Sequence, residues 1–400
     1  MDCRPAQARR RRSAGHCATG PRRRFARDRV AHARRQPQFV RRSARAAYLR
    51  SLSNPASRRR LKFALSRYRT HLTMLLGIAV ALVAAYLAVR DVNLQALRAA
   101  LSSANYLYVL PALVITYLGY FARAWRWQLM IAPLKRISFR DVFPILVIGF
   151  AWNYAIPLRI GELVRAHLLG QRANVSRAAL LGTIAVERVL DGAAIMALLA
   201  LVSLLQPDLP AWVADFSRLA LVLFGMALVA LVVLIASERL ALRLLAALTR
   251  HLPPVISARV NRLAQSFVLG YTALRSRGRL ALILLATLVG WAIEIASYAI
   301  FFPAFGLRFS LPGFISASSF YAVVLNLGTL VPSSPGFVGT LDEFGKSALG
   351  VFQVDSATAL SLTVVAHAVQ LLVILSLGAW ALWREGLNVR TLERVTAEVE

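Results

Sequence analysis

Three stretches place ionisable side chains at helical spacing inside otherwise apolar sequence. In IPLRIGELVRAHLL, Ile156 to Leu169, Arg159, Glu162 and Arg165 recur every three residues after a proline. In IAVERVLDGAA, Glu187, Arg188 and Asp191 fall within about one helical turn, with Glu187 and Asp191 on one face. In PSSPGFVGTLDE, Pro332 to Glu343, Pro335, Gly336 and Gly339 precede Asp342 and Glu343. Arginines so placed can grip a phosphate bidentately, while the carboxylates can hold a cationic headgroup or exchange protons. Arg188 and Asp191 would also serve as a self-neutralising structural pair. Pairing Arg188 with either acid then leaves the other for Arg159, Arg165 or a substrate cation.

Other groups have two readings each. Arg123 and Arg126 in FARAWRWQLM sit beside Trp125 and Trp127, which suits interfacial anchoring at the end of a span and equally a fork for a lipid phosphate. Glu294 in WAIEIASY is a lone carboxylate on an apolar helix and a candidate proton relay. His367 with Gln370 reads instead as a hydrogen-bonded core group. Asn153 and Asn326 each interrupt an apolar segment that ends at a proline.

These residues need elements that hold them in a membrane. Of the 400 residues, 58% are hydrophobic and 16% charged, and apolar runs of spanning length recur, so the chain is an all-α polytopic membrane protein. Six full spans are expected, at Leu72 to Val89, Tyr106 to Phe121, Ala179 to Leu205, Leu219 to Ala236, Leu280 to Phe302 and Ala357 to Trp383. Two less regular segments, Val142 to Pro157 and Phe314 to Pro332, are expected to be re-entrant or broken.

Loop charge sets the orientation. Arg123 to Arg140 and Glu238 to Arg279 are rich in basic residues, whereas QPDLPAWVAD carries only Asp208 and Asp215, so the first two should face the cytoplasm. A full crossing at Val142 to Pro157 would put Arg159, Arg165, Arg172 and Arg177 outside and reverse the later spans. A hairpin entering from the cytoplasm avoids this, provided protein or water surrounds its unwound backbone. A second hairpin entering from the outside puts both termini in the cytoplasm and makes the two halves an inverted repeat, in which broken segments at matching positions point to the site.

The organisation read from the sequence is an Arg-rich tail at 1–70, a membrane domain at 71–384 and a short cytoplasmic tail at 385–400. An amphipathic connector, 238–279, is expected to lie on the inner leaflet. The first 70 residues carry +20 of the net charge of +30 and almost no apolar periodicity, which predicts disorder. The tail is a topology determinant, an arm for anionic lipid or nucleic acid with nucleic acid the less favoured, or an extension from a start codon placed too early. Cys3 and Cys17 both lie in it, so neither disulfides nor a zinc site are expected. No cofactor or metal site is indicated.

Taken in order, RAWRWQLM, IPLRIGELVRAHLL, ERVLD and PSSPGFVGTLDE resemble the lysylphosphatidylglycerol synthase transmembrane-region family of flippase-like proteins, over about Leu72 to Trp383. The resemblance implies an inner-membrane protein that moves an anionic or aminoacylated phospholipid, or a lipid-linked molecule, between leaflets. It points to Arg159, Gly161, Glu162, Arg165, Glu187, Arg188, Asp191, Pro335, Gly336 and Gly339. The late motif departs from the family pattern, with Phe337 where a second glycine is usual and Asp342, followed by Glu343, where a glutamate is usual. The synthases of the family continue into a soluble aminoacyl-transferase domain, whereas this chain ends 17 residues after Trp383. A separate synthase or transferase is therefore an expected partner beside the membrane lipids.

No G-x-S-x-G, Walker or H-E-x-x-H pattern occurs. The alternatives to a flippase are a membrane-embedded lipid-modifying transferase using a carboxylate as general base, and a non-catalytic scaffold of a lipid-synthesis complex.

Overall fold

The computed structural model describes residues 79, 82–83, 85–90, 92–156, 160–206, 209–236, 261, 269–331, 334–387 and 392. The Arg-rich tail, Arg159, most of the connector and most of the C-terminal tail lie outside the described residues, and the first expected span is described only in part.

Among the described residues eleven α-helices have both ends defined, and four of them begin at a side-chain cap. Asn93 caps α1 (Leu94–Ser103), Ser176 caps α5 (Arg177–Leu205), Ser310 caps α9 (Leu311–Gly328) and Asp355 caps α11 (Ser356–Arg384). Each accepts a backbone N–H that the first turn would otherwise leave without a partner. The others are α2 (Val109–Ile131), α3 (Phe139–Ala155), α4 (Gly161–Ala173), α6 (Ala211–Ala236), α7 (Arg277–Ala299), α8 (Phe301–Ala304) and α10 (Thr340–Gly350).

Five stretches are long and apolar enough to cross a membrane: Tyr106–Ile131, Arg177–Leu205, Arg277–Ala304, Leu311–Gly328 and Ser356–Arg384. The expected span at Leu219 to Ala236 lies within α6.

The structure changes three expectations. The span expected to stop at Phe121 continues to Ile131, because no breaker precedes Pro133, so Arg123 and Arg126 lie inside the helix and not beyond its end. The segment expected to be broken between Phe314 and Pro332 breaks only at its end: it is continuous helix to Gly328, and the break follows. Its serines bond to their own helix, Ser316 to the Pro312 carbonyl at 2.8 Å and Ser318 to that of Phe314 at 2.7 Å, so the polar content does not interrupt it. Within the connector, Leu269–Arg275 is a 3-10 helix where an amphipathic α-helix is expected. Its Tyr271 and Leu274 are buried with Met130, Val186, Leu190 and Ile283.

α3 and α4 form an antiparallel hairpin. Asn153 meets Gly161 near the tip, while at the other end Arg172 donates to Asp141 at 2.6 Å. With 13 residues, α4 is about 20 Å long, short of the ~30 Å hydrocarbon core. α9 and α10 form the second hairpin, with Gly328 against Phe344 near the tip and Phe320 against Phe352 at the far end.

The packing of the two halves corresponds. α2 runs antiparallel to α7, with Met130 near Ile283 at one end and the Asn105 N–H on the Ala304 carbonyl at the other. α3 packs on α11 and α9 on α5, while α1 lies on α11 and the 3-10 turn at Leu269–Arg275 lies on α5. Exchanging α2, α3, α4 and α5 for α7, α9, α10 and α11 maps these contacts onto one another, as an inverted repeat requires. The hairpin tips meet where the Tyr154 and Phe337 rings pack edge to face with centroids 5.2 Å apart.

Candidate functional site

The charges inside the membrane domain gather where α2, α4, α5 and α7 converge. Arg126 reaches from α2 to α5, with Nη1 2.5 Å from Asp191 Oδ1 and Nη2 3.2 Å from Oδ2. The same Nη2 lies 3.3 Å from Glu187 Oε1. Glu187 is fully buried and also receives Arg165 Nη2 and Arg188 Nη2, each at 3.0 Å. Arg188 reaches Asp191 only at 3.6 Å, so the pair expected within one helix turn is secondary to the bond from another helix. Arg126 is 5% exposed, which removes interfacial anchoring as its role.

Arg165 ties the first hairpin to this centre. Its guanidinium lies 4.8 Å from the Trp127 ring and 5.6 Å from that of Phe150, where a cation is attracted to the aromatic faces. The Trp127 indole N–H is held by Thr183 Oγ1 at 3.1 Å. The close approach of α3 and α4 depends on glycine, since a Cβ at Gly161 would overlap the Gly149 carbonyl. Asn153 Oδ1 accepts the Gly161 N–H at 2.7 Å and its Nδ2 donates to Glu162 at 3.2 Å, so α3 supplies the cap that opens α4.

The second hairpin contributes through α7 and α11. Asn326 donates to Glu294 at 3.2 Å, and Glu294 is also paired with Arg123. At the tip, Gly336 and Gly339 adopt φ of 73° and 81°, the left-handed region that glycine enters without a Cβ penalty. Asp342 accepts the Gly339 N–H at 2.8 Å. His367 Nε2 lies 2.7 Å from the Gly336 carbonyl and Nδ1 3.2 Å from Asp342 Oδ1. A carbonyl only accepts, so Nε2 is the donor to Gly336.

Between the halves lies a polar cavity of about 110 Å³, whose walls include Arg123, Arg126, Arg188, Asp191, Glu294 and Asn326. Asn153 joins them from the first hairpin. Arg165, Glu187, Glu162 and Gly161 stand outside this lining, while Pro335, Gly336, Gly339 and Asp342 build the second tip. Glu343 is turned away and pairs with Lys346 at 2.9 Å, so of the two neighbouring acids Asp342 is the one directed to the tip. Four guanidinium atoms, Nε of Arg126, Arg165 and Arg188 and Nη1 of Arg165, are buried with no protein acceptor among the described residues.

Residue-by-residue reasoning misses the cavity-lining Tyr120 and Tyr154. His367 and Gln370, expected as hydrogen-bonded groups, do bond to neighbouring elements, and beyond that expectation His367 clasps the second tip and Gln370 lines the cavity. Gln370 donates to Ser297 Oγ on α7 at 3.3 Å.

Two hairpins, each pairing a longer helix with a short one of 13 or 11 residues, are related as an inverted repeat and meet beside a charged cavity, which defines a multi-pass membrane protein with an intramembrane polar site. The chain belongs to the family described as Lysylphosphatidylglycerol synthase TM region, which matches residues 74–378. That membership makes it a membrane protein of a family connected with lipids. No curated protein matches the chain.

Proposed function

We propose that the protein translocates an anionic or aminoacylated phospholipid, or a lipid-linked molecule, between leaflets, with the headgroup passing through the cavity between the two hairpins. The observation that carries this reading is the surplus of buried guanidinium donors around Glu187 and Asp191. Arg126, Arg165 and Arg188 keep four buried guanidinium nitrogens without a protein acceptor among the described residues, and a phosphate satisfies such donors bidentately. The carboxylates accept a cationic headgroup or hold the arginines in its absence.

The basic residues favour a bacterial inner-membrane orientation with the first hairpin opening to the cytoplasm. Lys135, Arg136, Arg140, Arg172, Arg177, Arg277, Arg279 and Arg384 gather at the ends of α2, α3, α4, α5, α7 and α11 that share one face, and this asymmetry marks the cytoplasmic side. Both termini are then assigned to the cytoplasm.

The test is leaflet exchange of fluorescent anionic, aminoacylated and polyprenyl-phosphate lipids in liposomes containing the purified protein. Wild type should move one class, and Glu187→Gln and Arg126→Gln should lose that movement while remaining monodisperse. Chemical alteration of a lipid without movement would replace this reading with the membrane-embedded transferase.

A further inference from the structure

A second cavity, of about 510 Å³, opens on the outer surface between α2, α3 and α11. Its size falls in the range of ligand pockets, roughly 300 to 1,000 Å³. Its walls are apolar and rigid: Phe121 and Phe143 stack with centroids 4.5 Å apart, Phe139 lies 5.6 Å from Phe143, and Trp380 lies 5.7 Å from it. A hydrogen bond of 2.6 Å between Tyr117 and Ser376 joins α2 to α11 in its wall.

Two arginines also line this groove, Arg140 from the first turn of α3 and Arg384 from the end of α11, both exposed. The neighbouring acids are already engaged. Asp141 accepts from Ser138 and Arg172, each at 2.6 Å, and Glu385 is also paired with Arg172. Among the described residues Arg140 and Arg384 have no carboxylate within ion-pair distance. Arg384 is held with its guanidinium 5.4 Å from the Trp380 ring.

We infer that this groove is a binding site for an anionic phospholipid, separate from the central cavity, with an acyl chain against Phe121, Phe143 and Trp380 and the phosphate between Arg140 and Arg384. Both arginines stand at helix ends on the basic face, the depth of a headgroup when a chain enters the groove. Basic pockets between transmembrane helices on that side recognise anionic headgroups, and the aromatic walls fit a chain but offer nothing to a peptide backbone. The inference does not rest on translocation, since its readout is lipid retained and not lipid moved.

The experiment is native mass spectrometry of the full chain purified with phosphatidylglycerol or with phosphatidylcholine of the same chains. Wild type should retain one more phosphatidylglycerol per protein than the Arg140→Ala/Arg384→Ala double variant, with affinity for that lipid about thirtyfold lower in the variant, from two interfacial arginine contributions. Both substitutions are at exposed positions and should leave the fold intact. Leu377→Trp, which fills the groove and keeps both arginines, should lose the same lipid. Equal retention in wild type and the double variant, equal retention of phosphatidylcholine by wild type, or displacement of the lipid by inorganic phosphate would each overturn the assignment.

Discussion

Replacing Gly161 by alanine tests the first hairpin, because helix propensity and packing predict opposite signs. Gly161 opens α4, and alanine in a helix is favoured over glycine by about 1 kcal/mol. In the fold, the added Cβ would overlap the Gly149 carbonyl and stand 2.6 Å from Asn153 Oδ1. Neither is the free end of a flexible chain, because Asn153 Oδ1 is held by the Gly161 N–H at 2.7 Å. The hairpin must splay, which costs about 1–3 kcal/mol for overpacking, and a backbone carbonyl puts the site at the upper end. The expected net loss is about 1–2 kcal/mol. It should be read by reversible unfolding in mild detergent beside Gly225→Ala, where a Cβ meets nothing within 4 Å and the change should be neutral or stabilising. A Gly161→Ala protein as stable as Gly225→Ala would show that α3 and α4 do not pack as described.

Four further outcomes follow from the site and its ends. Glu187→Gln removes the charge shared by three arginines at a fully buried position, and breaking such a group should cost about 3 kcal/mol, measured by the same unfolding assay. Trp127→Phe loses the bond to Thr183 and weakens the face under Arg165, for a loss of about 1–2 kcal/mol. The Ser138 hydroxyl, and after it Arg172, holds the Asp141 carboxyl below its ordinary value of 3.8. A depressed folded value contributes stability above the unfolded pKa that disappears as pH falls through the folded one, so Asp141→Asn should be less stable than wild type at neutral pH, with the difference shrinking as pH falls below 3.8 and vanishing only below the lower folded value. Removing residues 1–70 should leave lipid exchange in liposomes intact; its loss would favour a scaffold acting through the tail.

The membrane class, most of the spans and the broken character of the two hairpins were legible in the linear chain. Each follows from local physics: backbone in hydrocarbon must be satisfied within its own helix, and proline, glycine and asparagine clusters mark where it is not. The acids and arginines of the site were legible too, because charge in apolar sequence is costly. Their partners were not. The linear chain places Arg126 beyond a span, since an arginine costs much within one, and only α5, 65 residues away, supplies the Asp191 that pairs with it inside the helix. From the chain alone His367 reads as a hydrogen-bonded core group without a named partner, because its two partners, Gly336 and Asp342, belong to the second hairpin.

The sequence by itself determined that this is a helical membrane protein, which residues carry its intramembrane charge, and where its helices break, because these depend on the residues within a turn or two. The tertiary structure alone decided that α2 and α7 run antiparallel and that the two tips meet at Tyr154 and Phe337. It also decided that Arg126, Arg165 and Arg188 converge on Glu187. Electrostatic pairing falls off over a few ångströms, so it is set by which helices pack together, and that depends on contacts far apart in the chain.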